Sequence, residues 1–479
     1  MKLGTCMATV LLCAACLSRP AWGAPPDGAL TNLTITPRSQ PNVGIAAVLL
    51  WTDRRGGAHP LGFAQAEVRS THGQVLAAAL ADKQGRLSTE IPAPGGEGIF
   101  LRVYAAGPGL FVTPPDGPPY HVDSAAYHPR PGNTLNLVIT VGHDPAGRPT
   151  QSDAHTAFSV FQGVQFAARY VAETARPLPD LAVRFPDRSR GSTAYQRGEL
   201  HILRQDRWDW DILQHEYGHY AQHQLGITAT PGGPHHWWNV SERYGKPKGI
   251  PLAWSEGWST YFPIQLQADY NLAAWQIPGV GDTLYQDTED QELSVDLGSA
   301  APPYQGEDSE FAIARILWAL SSRRLVGDDR HLLNLFTRAH VTSLSEAYKA
   351  MMEGQPPSQV AQAGCVFTAN GVAPRLTTPA AGSRASMTTP PRFTWEPNGG
   401  GPTRRNNHFW VSFYDRAFRL MGTSQPLSRP AFTLSPAQWA EIVGHAGGTV
   451  HVVVHGLQTD EPVTGPYAGC DAVLYPPAP

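Results

Sequence analysis

Three residues in one pentad could do chemistry together: His215, Glu216 and His219, in the order His-Glu-Tyr-Gly-His. Residues four apart on an α-helix lie one above the other, so the two imidazoles can converge on a single ion. Zinc takes nitrogen ligands at about 2.0–2.1 Å, and hydrolytic sites keep three protein ligands with a fourth position open. Glu216, turned about 100° from His215, points beside such an ion, where a carboxylate can accept a proton from water. The pentad therefore offers two ligands and a general base, and needs one further ligand from another segment.

The flanking residues suit this placement. Asp209 and Asp211 stand where a helix N-terminus favours acids, and Gly226 after Leu225 reads as a stop. The pentad should sit in the middle of a helix of about four turns. Upstream, Glu199-Leu200-His201-Ile202-Leu203 alternates polar and apolar as a half-buried strand does. In zinc peptidases such a strand borders the cleft and can pair with an extended substrate.

The third ligand is sought by elimination and context. Leu225 stands ten residues after His215, where metzincin-type proteases carry a histidine, so that family is excluded. His223 extends the same stripe, but three ligands along one straight helix cannot reach one ion, which leaves it outside the ligand set. Glu256, within Trp254-Ser255-Glu256-Gly257-Trp258-Ser259-Thr260-Tyr261-Phe262, lies in a helix-like apolar frame and is the expected ligand. Glu242 competes by spacing, yet its neighbours are polar and no helical frame follows it.

Together, His-Glu-Tyr-Gly-His and Glu-Gly-Trp-Ser resemble the gluzincin peptidases, thermolysin-like and especially fungalysin-like, over roughly residues 155–340. The resemblance implies a mainly helical α+β peptidase domain and a Zn2+ ion on His215, His219 and Glu256. It also implies Glu216 as general base and hydrolysis of a protein or peptide substrate. The chain departs from the pattern twice. From His219 to Glu256 is 37 residues, so an insertion is expected, with a loop at Pro231-Gly232-Gly233-Pro234-His235-His236-Trp237-Trp238 whose histidines and tryptophans either line the cleft or pack the loop. Thr260 occupies the place of an aspartate that usually steadies a ligand histidine; a hydroxyl accepts that hydrogen bond more weakly.

An oxyanion stabiliser is also required. Tyr304, in Pro303-Tyr304-Gln305-Gly306 ahead of the amphipathic run from Phe311 to Leu320, resembles the tyrosine of aminopeptidase-type gluzincins; an ordinary packed tyrosine is the alternative, and His331 and His340 are remoter candidates. Two other functions stay open: an aminopeptidase, although its Gly-x-Met-Glu-Asn signature is absent, and a catalytically idle surface-binding protein with a structural zinc.

The whole chain frames the motifs. Its 479 residues, 42% of them hydrophobic, suffice for several cored domains, and a formal charge of −4 carries no footprint of nucleic-acid binding. Lys2, the uncharged stretch Leu3 to Ser18 and Ala21-Trp22-Gly23 read as a secretory signal, residues 1–23, too short for a membrane span. An exported protein, extracellular or periplasmic, is expected, with lipidation at Cys16 the less favoured variant. Cleavage would leave Cys365 and Cys470, an even pair expected to form a disulfide.

The expected organisation is multidomain. Residues 30–142 carry strands at Ile45 to Trp51, Gln65 to Ser70, Phe100 to Tyr104 and Leu135 to Val141, with a hairpin turn at Asp82-Lys83-Gln84-Gly85-Arg86. Their pattern resembles transthyretin-like or carboxypeptidase-regulatory β-sandwiches. After a linker from Gly142 to Ser152, a mainly helical peptidase domain, 150–372, opens on the stripe Phe158, Phe161, Val164, Ala168 and Val171. Residues 375–479 resemble a fibronectin type III-like β-sandwich, with Phe409, Val411 and Phe413 inward and His451 and His455 toward solvent.

Overall fold

The computed structural model describes residues 42–142, 150, 152–230, 232–287, 293–299, 304–386, 388–400 and 404–476. The expected leader, with Cys16, and most of the expected linker lie outside the described residues, as do Pro231 and Pro303.

The strand Val43–Thr52 alternates buried and half-buried positions, and its period of two turns Val43, Ile45, Ala47 and Leu49 into the core. It pairs in parallel with Thr134–Val141 and antiparallel with Arg86–Ile91 and Ala58–Pro60. A second sheet runs Val75–Leu80, Gln65–Ser70, Ile99–Tyr104, His121–Asp123. The turn at Asp82 forms as expected, with its carboxylate accepting the Gln84 and Arg86 N–H groups at 2.8 and 2.9 Å. It does not close a hairpin. The strands on either side join different sheets, because Leu87 and Ile91 bury against Val43–Thr52 instead of folding back on Val75–Leu80.

The next strands run across the expected boundary. Leu110–Thr113 pairs with Ala106–Gly107 on one side and, in parallel, with Leu181–Arg184 on the other; Glu199–His201 and Ala194–Gln196 complete five strands. Trp51 of the first sheet also stacks on Trp208 and Trp210 at 6.4 and 5.7 Å. One apolar core holds residues from both regions.

The helices are α1 (Asp153–Thr174), α2 (Trp210–Leu225), α3 (Val240–Tyr244), α4 (Lys246–Asp269), α5 (Glu310–Ser322), α6 (Asp329–Ala339), α7 (Leu344–Met352) and α8 (Pro357–Ala369). All five residues of the α1 stripe are buried, as their spacing predicts. No helix among the described residues is long and apolar enough to cross a membrane.

Beyond α8, the strands Arg375–Thr378, Arg392–Glu396 and Ala431–Thr433 form one sheet. A second contains Leu420–Thr423, His408–Tyr414, Val450–Gln458, Thr464–Ala468 and Ala472–Leu474. Between them pack Phe393, Trp395, Phe409, Val411, Phe413, Val450, Val452 and Val454, with α9 (Pro436–His445) adding Trp439. The architecture is thus mixed, with sheets at both ends and helices between. Cys365 on α8 is bonded to Cys470.

His451 and His455 depart from expectation. Their face of the strand lies against the helical region, where Val453, Tyr467 and Ala468 join the larger core. His451 Nδ1 meets Asp471 at 2.8 Å, and His455 stacks on Trp410 at 5.1 Å with its Nε2 enclosed and unpartnered among the described residues. Alternation gives a face, not what covers it.

Burial pushes the His455 imidazole down to about 4, whereas an unfolded chain protonates it near 6.5. The stability that neutral His455 allows is complete above pH 6.5 and declines as the pH falls toward 4. The melting temperature of the parent should therefore fall over that interval by several degrees more than that of His455→Phe. Parallel falls in the two proteins would rule out a buried neutral imidazole.

Candidate metal centre

Helix α2 begins and ends where its sequence signals place it. The Asp209 carboxylate caps it by accepting from the Asp211 and Ile212 N–H groups at 3.1 and 3.3 Å, and Gly226 closes it in the left-handed region at φ 71°. One turn apart on this helix, His215 Nε2 and His219 Nε2 stand 3.0 Å from each other.

Helix α4 packs on α2 in a register fixed by buried polar groups. The Gln222 amide donates to the Ser255 carbonyl at 2.9 Å and accepts from the Ser255 hydroxyl at 2.6 Å; farther along, Gln267 donates to Asp211 and Gln214, each at 2.9 Å. Gly218 permits the close approach, since a Cβ there would stand 3.1 Å from the Ser259 hydroxyl and 3.3 Å from its Cα. In this register Glu256 Oε2 lies 3.3 Å from His215 Nε2 and 3.0 Å from His219 Nε2. Ligands at about 2.0–2.1 Å in a tetrahedral array are themselves about 3.3 Å apart. The three atoms thus have the spacing of three corners of such an array.

The carboxylate of Glu216 is also within 4.8 Å of both imidazole donors. Its Oε2, however, accepts the Tyr195 N–H at 2.6 Å, whereas Glu256 Oε2 is aimed at both nitrogens. By distance and orientation Glu256 is the carboxylate that converges with the two Nε2 atoms, and Glu216 lies beside them. Tyr195 belongs to Ala194–Gln196, the outer strand of a hairpin turning at Arg197 and Gly198, both with positive φ. The strand that touches Glu216 is therefore Ala194–Gln196, which pairs with Glu199–His201.

Hydroxyl groups orient both histidines. His219 Nδ1 faces Ser259 Oγ at 3.2 Å and Ser255 Oγ at 3.4 Å; His215 Nδ1 faces Tyr285 Oη at 3.1 Å and Thr260 Oγ1 at 3.2 Å. The Thr260 hydroxyl donates to Glu310 Oε1. An Nδ1–H given to a hydroxyl leaves the Nε2 lone pair directed at the shared centre. Two imidazoles and one buried carboxylate converging in this way fit zinc in donor type and spacing.

Glu256 is held well below the ordinary carboxylate range: burial opposes its charge, and His219 and His235 overcome that opposition. His235, from the insertion loop, lies 3.9 Å from Glu256 and 3.5 Å from Glu310. Burial disfavours its proton, but the two carboxylates raise it to about 10, so it stands as a cation between them. Glu216 is raised, chiefly by burial.

The other candidates make different contacts. Glu242 is exposed on α3 and accepts from Asn239 at 3.4 Å, and His223 is exposed with Tyr195 Oη 3.2 Å away. His331 and His340 are exposed at the two ends of α6. Tyr304 is half-buried, its ring 6.3 Å from Trp238 and 5.9 Å from Phe311 in an aromatic cluster. Sequence reasoning missed Ser255, Ser259, Tyr285 and Glu310. The two serines flank Glu256 at helical spacing and were within reach of it; Tyr285, on the short strand Leu284–Gln286, carried no signal.

No protein-family model matches this chain, and no curated protein matches it. What the centre can do follows from its own atoms.

A Cβ on Gly257 would stand 2.6 Å from Ile313 Cβ and 2.7 Å from the Glu310 carbonyl. Alanine gains up to about 1 kcal/mol in helix propensity, yet overpacking of this kind costs about 1–3 kcal/mol. Gly257→Ala should lower the melting temperature by displacing α5 from α4. An unchanged melting temperature would contradict the close α4–α5 contact.

Proposed function

We propose that the protein is an exported zinc-dependent endopeptidase of the gluzincin type. The observation that carries this reading is the convergence of His215 Nε2, His219 Nε2 and Glu256 Oε2 within 3.0–3.3 Å, with the carboxylate of Glu216 beside them. A purely structural metal site has no use for a neighbouring base. The Cys365–Cys470 disulfide suits an oxidising compartment.

When bound, zinc would supply Lewis-acid polarisation of the scissile carbonyl and make water more acidic. Glu216 takes one proton from that water as its oxygen bonds to the carbonyl carbon. It then delivers the proton to the amide nitrogen as the C–N bond breaks, which regenerates the carboxylate. The Tyr195 N–H fixes Glu216 Oε2, leaving Oε1 to make the exchange. Because burial raises Glu216, the carboxylate is a stronger base than an exposed glutamate.

Glu216→Gln should retain one zinc per chain and lose casein hydrolysis by about 10²–10⁴-fold, while His219→Ala should lose the metal as well. Metal content and turnover measured on both variants, with and without a chelator, check this. Casein cleavage by Glu216→Gln at the parental rate would remove the base from the scheme.

A further inference from the structure

Glu310 is the first residue of α5, where an acid ordinarily serves the helix N-terminus from solvent. Here its side chain is buried and turned toward the histidines. Its N–H donates to the Trp237 carbonyl at 3.0 Å, which ties the insertion loop to α5. Oε1 accepts the Thr260 hydroxyl proton, and Oε2 faces His235 Nε2 at 3.5 Å. A single hydroxyl thus separates this carboxylate from His215 Nδ1.

A lone threonine hydroxyl beside an imidazole can donate or accept. If it donated to Nδ1, the neutral ring would carry its proton on Nε2 and could not bind a metal through that atom. The hydroxyl proton goes to Glu310 Oε1, which leaves the oxygen of Thr260 to accept Nδ1–H. Tyr285 Oη also approaches Nδ1, but among the described residues it has no further acceptor that would fix its direction.

We infer that Thr260 and Glu310 act as one positioning unit, in which a carboxylate on α5 sets the tautomer of His215 through the α4 hydroxyl. This rests on the zinc reading above and deepens it. Position 260 itself carries no charge; the carboxylate stands on another helix, with His235 beside it.

The test is the zinc affinity of the full chain, measured by competition with a chromophoric chelator, for Thr260→Val, Glu310→Gln, their combination, and Thr260→Asp combined with Glu310→Gln. Melting of the metal-free proteins reports folding. Thr260→Val should bind zinc about 10–100-fold more weakly, and Glu310→Gln should also weaken it. The Val/Gln pair should be no weaker than Thr260→Val alone, because both changes break one chain of hydrogen bonds. Asp at 260 with Gln at 310 should recover most of the affinity by placing a carboxylate directly on His215. Parental affinity in Glu310→Gln, additive losses, or no recovery in the Asp/Gln pair would overturn the unit. If Glu310→Gln does not fold, Thr260→Ser and Thr260→Val decide: retention in the first with loss in the second supports it, and retention in both overturns it. If the parent takes up no zinc, both readings fall; tight parental binding with an indifferent Glu310→Gln removes only this one.

Discussion

The packing of α2 on α4 is the constraint from which the rest of the centre follows. A slip of one residue along either helix would turn its side chains by about 100°, carrying Glu256 away from His215 and His219. Apolar contacts alone tolerate such slips, but the Gln222–Ser255 and Gln267–Asp211–Gln214 hydrogen bonds are complete in one register. Each buried polar group left unpaired costs about 1–3 kcal/mol. Glycine sets the distance and amides set the offset.

Around the three converging donors the chain places neutral hydroxyls, and it keeps the Glu310 carboxylate one bond farther out. Ser255, Ser259, Thr260 and Tyr285 orient the imidazoles without adding charge next to Glu256. Glu310 reaches the histidines through Thr260 on one side and His235 on the other. The insertion between His219 and Glu256 is therefore more than a spacer: its histidine completes the electrostatics of the cluster.

The legible part of this architecture was the local part. The two motifs, the ends of α2, the α1 stripe and the strands Val43–Thr52 and Gln65–Ser70 follow from periods and caps that short windows contain. The sequence also supported Glu256 over Glu242, because an apolar helical frame surrounds only the former. What escaped depends on contacts between distant segments. Glu310 looked like an ordinary first-turn acid, and Tyr285 sits on a strand of three residues. The enclosure of His455 depends on Trp410 of the neighbouring strand, and the path of the chain after Asp82 depends on which sheet offers a partner.

The strand Leu110–Thr113 lies between Ala106–Gly107 and Leu181–Arg184, three places from the edge that carries Tyr195. The amino-terminal strands are consequently no removable cover, since they donate a rung to the sheet that carries Tyr195. A proteolytic nick between residues 142 and 152 would leave the two pieces joined by backbone hydrogen bonds and by Trp51 against Trp210. A shortened chain starting at α1 would bare the Leu181–Arg184 edge, an invitation to aggregate.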